Sequence, residues 1–148
     1  MQRILAFTMA SLICVGASAA QWLPIAPQAY FLNPQETQKI VALANRNGNE
    51  INVTLLERSS SDCRGRATSE LLPEGPYRVN GTNINFQSAC FNGDKVIAAV
   101  SQVGKDFLMT AITTGPAKVE MRLGVVLHFN SENFEEAKEA ILDMRPAL

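Results

Sequence analysis

Lys39-Ile40-Val41-Ala42-Leu43-Ala44-Asn45-Arg46-Asn47-Gly48-Asn49-Glu50-Ile51-Asn52-Val53-Thr54-Leu55-Leu56-Glu57 is the stretch on which the fold turns. Its second half reads one way: Ile51, Val53 and Leu55 alternate with Asn52 and Thr54, the period of a strand with one buried face. Its first half has two solutions. Asn33-Pro34-Gln35-Glu36 can cap a helix whose buried stripe is Ile40, Val41, Leu43 and Ala44, stopped by Asn47-Gly48. Alternatively, residues 39–44 form a strand that turns through Arg46-Asn47-Gly48-Asn49 into the second one. The hairpin is preferred, because Asn-Gly ahead of an alternating run is a strong turn signal and because the sequence downstream repeats the pattern.

From Tyr77 onward, turn residues recur at short intervals: Asn80-Gly81, Asn92-Gly93-Asp94, Gly104-Lys105-Asp106, Gly115-Pro116 and Gly124. Between them lie apolar, β-branched runs at 82–90, 95–102, 107–113, 117–123 and 125–129, each read as a strand. No crossover helices are evident, which argues against a parallel sheet. Residues 59–76 carry no pattern and read as a long loop tied down at Cys63. Upstream, prolines 24, 27 and 34 favour an extended lead-in that offers Tyr30, Phe31 and Leu32 for burial. Past Phe129 the period changes. Ser131 or Asn133 can cap a helix with Glu132, Glu135 and Glu136 at its positive end, Arg145 in its last turn and Pro146 as its stop. Phe134, Ala137, Ile141 and Leu142 share one face, which should pack on the sheet. The expected class is α+β: predominantly antiparallel β, a meander or sandwich, with a C-terminal α-helix packed on the sheet.

Residues 1–19 read as an address. Arg3 precedes an apolar run from Ile4 to Ala17, and Ala17-Ser18-Ala19 supplies the small residues of a signal-peptidase site, so cleavage is expected before Ala20. The apolar run is too short to span a bilayer. No stable membrane insertion is expected after its removal, and residues 20–148 should form one disulfide-stapled, β-rich domain. The expected location is periplasmic or secreted. Removing the leader removes Cys14 and leaves Cys63 and Cys90. Two thiols in a small exported domain read as a structural disulfide, and closing a loop of about 27 residues is worth on the order of 3–4 kcal/mol.

The chain carries 13 Lys plus Arg against 14 Asp plus Glu, so it has no broad cationic field for a phosphate backbone and nucleic acid is not an expected partner. Its single histidine, His128, lies opposite Leu127 and Phe129 in alternation and reads as a strand residue facing solvent. There is no GxSxG elbow, phosphate-binding loop, EF-hand spacing or CxxC pair, so no catalytic residue, metal or cofactor is expected. The one suggestive polar cluster is Arg58, Arg64 and Arg66 around Cys63. A disulfide would fix these guanidiniums as an anion or partner contact, unless Asp62, Glu57 and Glu70 neutralise them as ordinary surface pairs. The expected function is an exported, non-catalytic binding module, of inhibitor or accessory-subunit type, that contacts another protein or an envelope component. Two alternatives stay open. A carboxylate-dependent hydrolase of envelope polymers would need two acids converging in a cleft, one with a raised pKa. A carrier of a small apolar ligand would need an empty apolar cavity.

Overall fold

A computed structural model describes residues 20–66 and 70–143. The leader at 1–19, and Arg145 with Pro146, lie outside the described residues. Nine strands and two α-helices run in the order β1 (Leu23–Ala26), β2 (Ala29–Leu32), β3 (Ile40–Asn47), β4 (Glu50–Glu57), β5 (Leu72–Val79), β6 (Thr82–Phe91), β7 (Asp94–Ala99), α1 (Gln102–Thr114), β8 (Pro116–Glu120), β9 (Val126–Asn130) and α2 (Phe134–Leu142). All nine strands join one antiparallel sheet of order β1-β2-β3-β4-β7-β6-β5-β8-β9. It consists of two meanders and a terminal hairpin spliced edge to edge.

Short-range turn chemistry builds the hairpins. At the β5–β6 and β6–β7 corners, Asn80-Gly81 and Asn92-Gly93 each have both residues at positive φ between directly paired neighbours, Val79 with Thr82 and Phe91 with Asp94. This is the two-residue turn whose twist matches the flanking strands. The decisive stretch is a hairpin rather than a helix: Ile40–Asn47 pairs with Glu50–Glu57 along its whole length.

Four elements differ from expectation, the simplest being the strand read at 117–123, which ends at Glu120 as β8 and gives way to a 3-10 turn at Arg122–Gly124. The run at 107–113 lies in α1, not a strand, because Ser101 Oγ accepts from the Gly104 N–H at 3.0 Å and caps the helix, and Gly104, Leu108 and Ile112 form a buried stripe at fourfold spacing. The strand expected at 95–102 ends at Ala99, where that cap begins. The loop expected at 59–76 ends early: β5 starts at Leu72 and accommodates Pro73 and Pro76 with a bulge between Glu74 and Tyr77. A crossover helix therefore does exist, since α1 carries the chain from β7 past β6 and β5 to β8, which still pairs antiparallel with β5.

α1 packs against β4, β7 and β8, and α2 against β2, β3 and β4. Together with Leu32, Leu55, Phe86, Ile97, Leu127 and Phe129 they enclose a single core cluster. The sheet curls around this core until its two ends meet. Ala20 N–H donates to Asn130 O at 2.9 Å, and Glu132 N–H returns a bond to Ala20 O at 3.1 Å. Trp22, 2% exposed, fastens the junction: its backbone N–H donates to Asn133 Oδ1 at 3.0 Å, its ring N–H to Ser131 Oγ at 2.7 Å, and its ring lies 5.4 Å from Phe134. Asn133 sits at the N-terminus of α2 with φ +45 and does not cap its own helix, having lent its side chain to Trp22.

Trp22→Ala should cost about 3–5 kcal/mol, the range for truncating a fully buried aromatic, and Trp22→Phe about 1 kcal/mol for the lost ring hydrogen bond. Because Trp22 is the sole tryptophan, urea unfolding followed by far-ultraviolet circular dichroism is the suitable measurement.

Candidate functional site

Alternation along the strands sends an unexpected set of side chains to the inner face. Register places Ile40, Glu57, Lys95 and Cys90 in one row across β3, β4, β7 and β6. Three of them are two residues from a core position, Ile40 from Ala42, Glu57 from Leu55 and Lys95 from Ile97. A lysine ammonium and a carboxylate are thus turned toward an apolar interior, at the end of the sheet that the helices leave open.

The disulfide completes the arrangement. Cys63 and Cys90 are bonded, with Cα atoms 5.3 Å apart, and a 3-10 turn at Ser61–Cys63 is drawn over the end of the row. Asp62 therefore reaches Lys95. The ammonium lies 2.7 Å from Asp62 Oδ2, to which it donates, 3.3 Å from Glu74 Oε1 and 3.5 Å from Glu57 Oε2, so three carboxylates surround one cation. Glu57 also meets Lys39 at 3.3 Å. Glu74 accepts from the Tyr77 hydroxyl at 2.7 Å and from Ser88 Oγ at 2.8 Å. The Lys95 side chain retains 11% exposure, Glu74 14% and Glu57 17%, whereas Asp62 keeps 63%.

Protonation follows from this geometry. The Lys95 hydrogen bond holds Asp62 below its ordinary carboxylate value. Burial works against ionised Glu74, yet bonds from Tyr77 and Ser88 and the charge of Lys95 bring it below its ordinary value too. Burial likewise opposes the Lys95 charge, but Asp62, Glu74 and Glu57 outweigh it and raise the ammonium. Burial, with the Glu74 carboxylate beside it, pushes the Tyr77 phenol above its usual range. At neutral pH Asp62 and Glu74 hold no proton, while Lys95 and Tyr77 keep theirs, so none of these four is poised for proton transfer.

The network floors a cleft of about 500 Å³. Arg66, Glu70 and Arg122 stand on its rim beside Met121, Leu123 and Val125. Leu123 is fully exposed and left-handed, at φ +60 and ψ +26, in the loop between β8 and β9. That loop is closed by Met121 N–H to Val125 O at 2.8 Å.

The arginine cluster is dispersed. Arg58 stacks over the Phe31 ring at 4.6 Å, Arg64 is exposed beyond the cleft lining, and only Arg66 lies in the lining. Of the acids expected to neutralise the arginines, Asp62 is held chiefly by Lys95 with a smaller influence from Arg66, Glu57 by Lys95 and Lys39, and Glu70 lines the cleft together with Arg66. His128 is exposed on β9, as alternation requires. Its backbone N–H donates to Glu36 Oε2 at 2.9 Å and its Nδ1 pairs with Glu36 Oε1. Burial opposes the Glu36 charge, but these contacts with His128 keep the carboxyl below its ordinary value.

No family model, curated protein or solved structure matches this chain. Function has to be argued from the site. Among the described residues no group of three or more His, Cys, Asp or Glu side chains is arranged to hold a metal ion.

The residues that sequence reading missed are Lys95, Glu74, Tyr77 and Ser88 in the network and Arg122 and Leu123 at the mouth of the cleft. For Lys95 a signal existed: it follows the Asn92-Gly93-Asp94 turn and shares the parity of Ile97 and Ala99, so alternation alone turns it inward.

Lys95→Met should destabilise the fold by about 2–4 kcal/mol at neutral pH, toward the low end of the cost of orphaning buried partners because Asp62 is exposed. The pH dependence carries a sign. Asp62 and Glu74 are held below their ordinary values of 3.8 and 4.5, so their contribution is present above those values and is lost as pH falls through the folded ones. Thermal melts from pH 7 to pH 3 should therefore show the wild type losing stability on acidification and the variant losing much less.

Proposed function

We propose that this chain is an exported, non-catalytic binding module, of inhibitor or accessory-subunit type, whose contact surface is the mouth of the Lys95 cleft. The observation that carries this reading is Leu123. A left-handed leucine costs about 1–2 kcal/mol in backbone strain, and leaving its side chain in water forgoes a further ~1.5–3 kcal/mol of burial. Both costs are incurred at the tip of a closed loop, beside exposed Arg122 and Val125. An apolar anchor next to an arginine on a preorganised loop is the composition of an interface hot spot.

The alternatives receive less support. Three carboxylates do converge in a cleft, as a hydrolase would require, but Asp62 and Glu74 have their pKa values lowered instead of raised, so neither can serve as a general acid near neutral pH. A carrier of apolar ligands requires an empty interior, and here the interior is filled by Trp22, Phe86, Phe129, Leu108 and Ile112, each 2% exposed or less. Export rests on the leader together with the disulfide, which persists in oxidising compartments. Among the described residues no helix is long and apolar enough to cross a membrane.

Affinity capture from an envelope fraction with residues 20–148 as bait should recover one stoichiometric protein partner. Leu123→Asp should lower recovery at least about tenfold without lowering the melting temperature, Arg66→Ala should weaken it, and Arg64→Ala should leave it unchanged. Equal recovery with Leu123→Asp would remove the cleft mouth from the reading.

A further inference from the structure

We infer a second, separate binding site: the groove between α1 and α2, which receives an uncharged oligosaccharide. Both helices pack on β4, α1 together with β7 and β8, and α2 together with β2 and β3. The space left between them lies over the β3–β4 corner. Its volume is about 830 Å³, within the range of small-molecule sites. α1 lines it with Gln102, Asp106, Met109 and Thr113, one stripe at three- and four-residue spacing, and α2 with Phe134, Lys138 and Leu142 at fourfold spacing. The α1 side runs from Gln102 to Thr114, about 18 Å. The groove is elongated and suits a short chain of rings.

Its polar side chains offer more hydrogen bonds than the protein uses. Among the described residues, the side chains of Asn47, Asn52 and Thr110 have no hydrogen-bond partner. Thr113 and Thr114 donate their hydroxyl protons to Met109 O at 2.8 Å and Thr110 O at 2.6 Å, which leaves their oxygen lone pairs to accept. Gln102 donates to Asp106 Oδ1 at 2.9 Å and keeps its carbonyl oxygen, while Asn49 accepts from Arg46 at 3.4 Å and keeps its NH2 group. Donors and acceptors thus stand together in one groove. That is what sugar hydroxyls require, since each both donates and accepts.

Other ligand classes fit less well. Three acids and two bases line the groove and nearly cancel, with Lys138 held to Glu135 at 3.3 Å, so neither a phosphate nor a cation is selected. An added peptide strand would need open strand backbone, and α1 covers β4 where Val53 is 2% exposed. A lipid tail would leave the amides and hydroxyls unpaired. Ile51, Met109, Phe134 and Leu142 supply apolar surface for the C–H face of a pyranose ring. One aromatic ring among seven amide and hydroxyl residues suits a sugar better than a stacked base. This inference goes beyond the cleft-mouth surface, and neither depends on the other.

The probes are cellotriose, maltotriose and triacetylchitotriose, each titrated into isotopically labelled residues 20–148 and followed by NMR of backbone amides and of Asn and Gln side-chain NH2 groups. At least one should bind with millimolar affinity and shift the NH2 signals of Asn47 and Asn52 together with backbone signals of α1. Asn52→Ala removes a donor and an acceptor, and Thr110→Val removes a hydroxyl at nearly constant shape. Each should weaken binding about fivefold to tenfold, with the remaining signals unmoved as proof of folding. Trigalacturonate, equally long but anionic, should bind at least about tenfold more weakly than the best neutral trisaccharide. Leu123→Asp should have no effect here, so loss of capture and loss of sugar binding report on different sites. No shift with any neutral probe at millimolar concentration, shifts outside the groove, indifference to both substitutions, or equal binding of trigalacturonate would overturn the inference.

Discussion

An ammonium group directed at an apolar interior must be compensated or the fold fails, and Lys95 imposes that condition on everything around it. Three carboxylates surround it, and these come from β4, from β5 and from the turn at Ser61–Cys63. The β5 acceptor, Glu74, in turn needs Tyr77 and Ser88 to occupy its remaining lone pairs. The Cys63–Cys90 bond has a positional role beyond chain entropy, because it delivers Asp62 to the ammonium. The open end of the sheet is thereby closed with charge, whereas the other end is closed with helices and an apolar core.

The same division explains why the sheet parts where it does. Near Lys95, β4 and β7 are held in register by the Glu57–Lys95 pair. Six residues back along β4, α1 departs from the end of β7, with Leu108 and Ile112 inserted into the core. A strand that continued beside β4 would compete with α1 for that space. One strand thus runs from a saturated polar cluster at one end to an apolar, helix-covered stretch at the other.

Local signals carried most of the fold. Asn80-Gly81 and Asn92-Gly93 specify their own turns, and the alternation of Ile51, Val53 and Leu55 specifies a half-buried strand whatever surrounds it. The run at 107–113 reads as a strand because Thr110, Ile112 and Thr113 favour strands by composition, while α1 depends on a single cap at Ser101 and on burial of the Gly104, Leu108 and Ile112 stripe, which is tertiary. The site was less legible. Cys63, Cys90 and Arg66 could be singled out, but pairing Lys95 with Glu74 requires the order β4-β7-β6-β5, and no local rule predicts that splice. Arg58 and Arg64 are close to Cys63 in sequence; the directions of their side chains were set by Phe31 and by solvent.

The junction made by Trp22 has a temporal consequence. Its partners Ser131 and Asn133 lie 109 and 111 residues further along the chain, so the first strand cannot be secured until nearly the last helix has been synthesised. Contacts of such long range form slowly. The N-terminal junction would thus stay unfastened for almost the whole of the chain's production, while the local hairpins can already pair. The cysteines, 27 residues apart, can meet well before that final fastening.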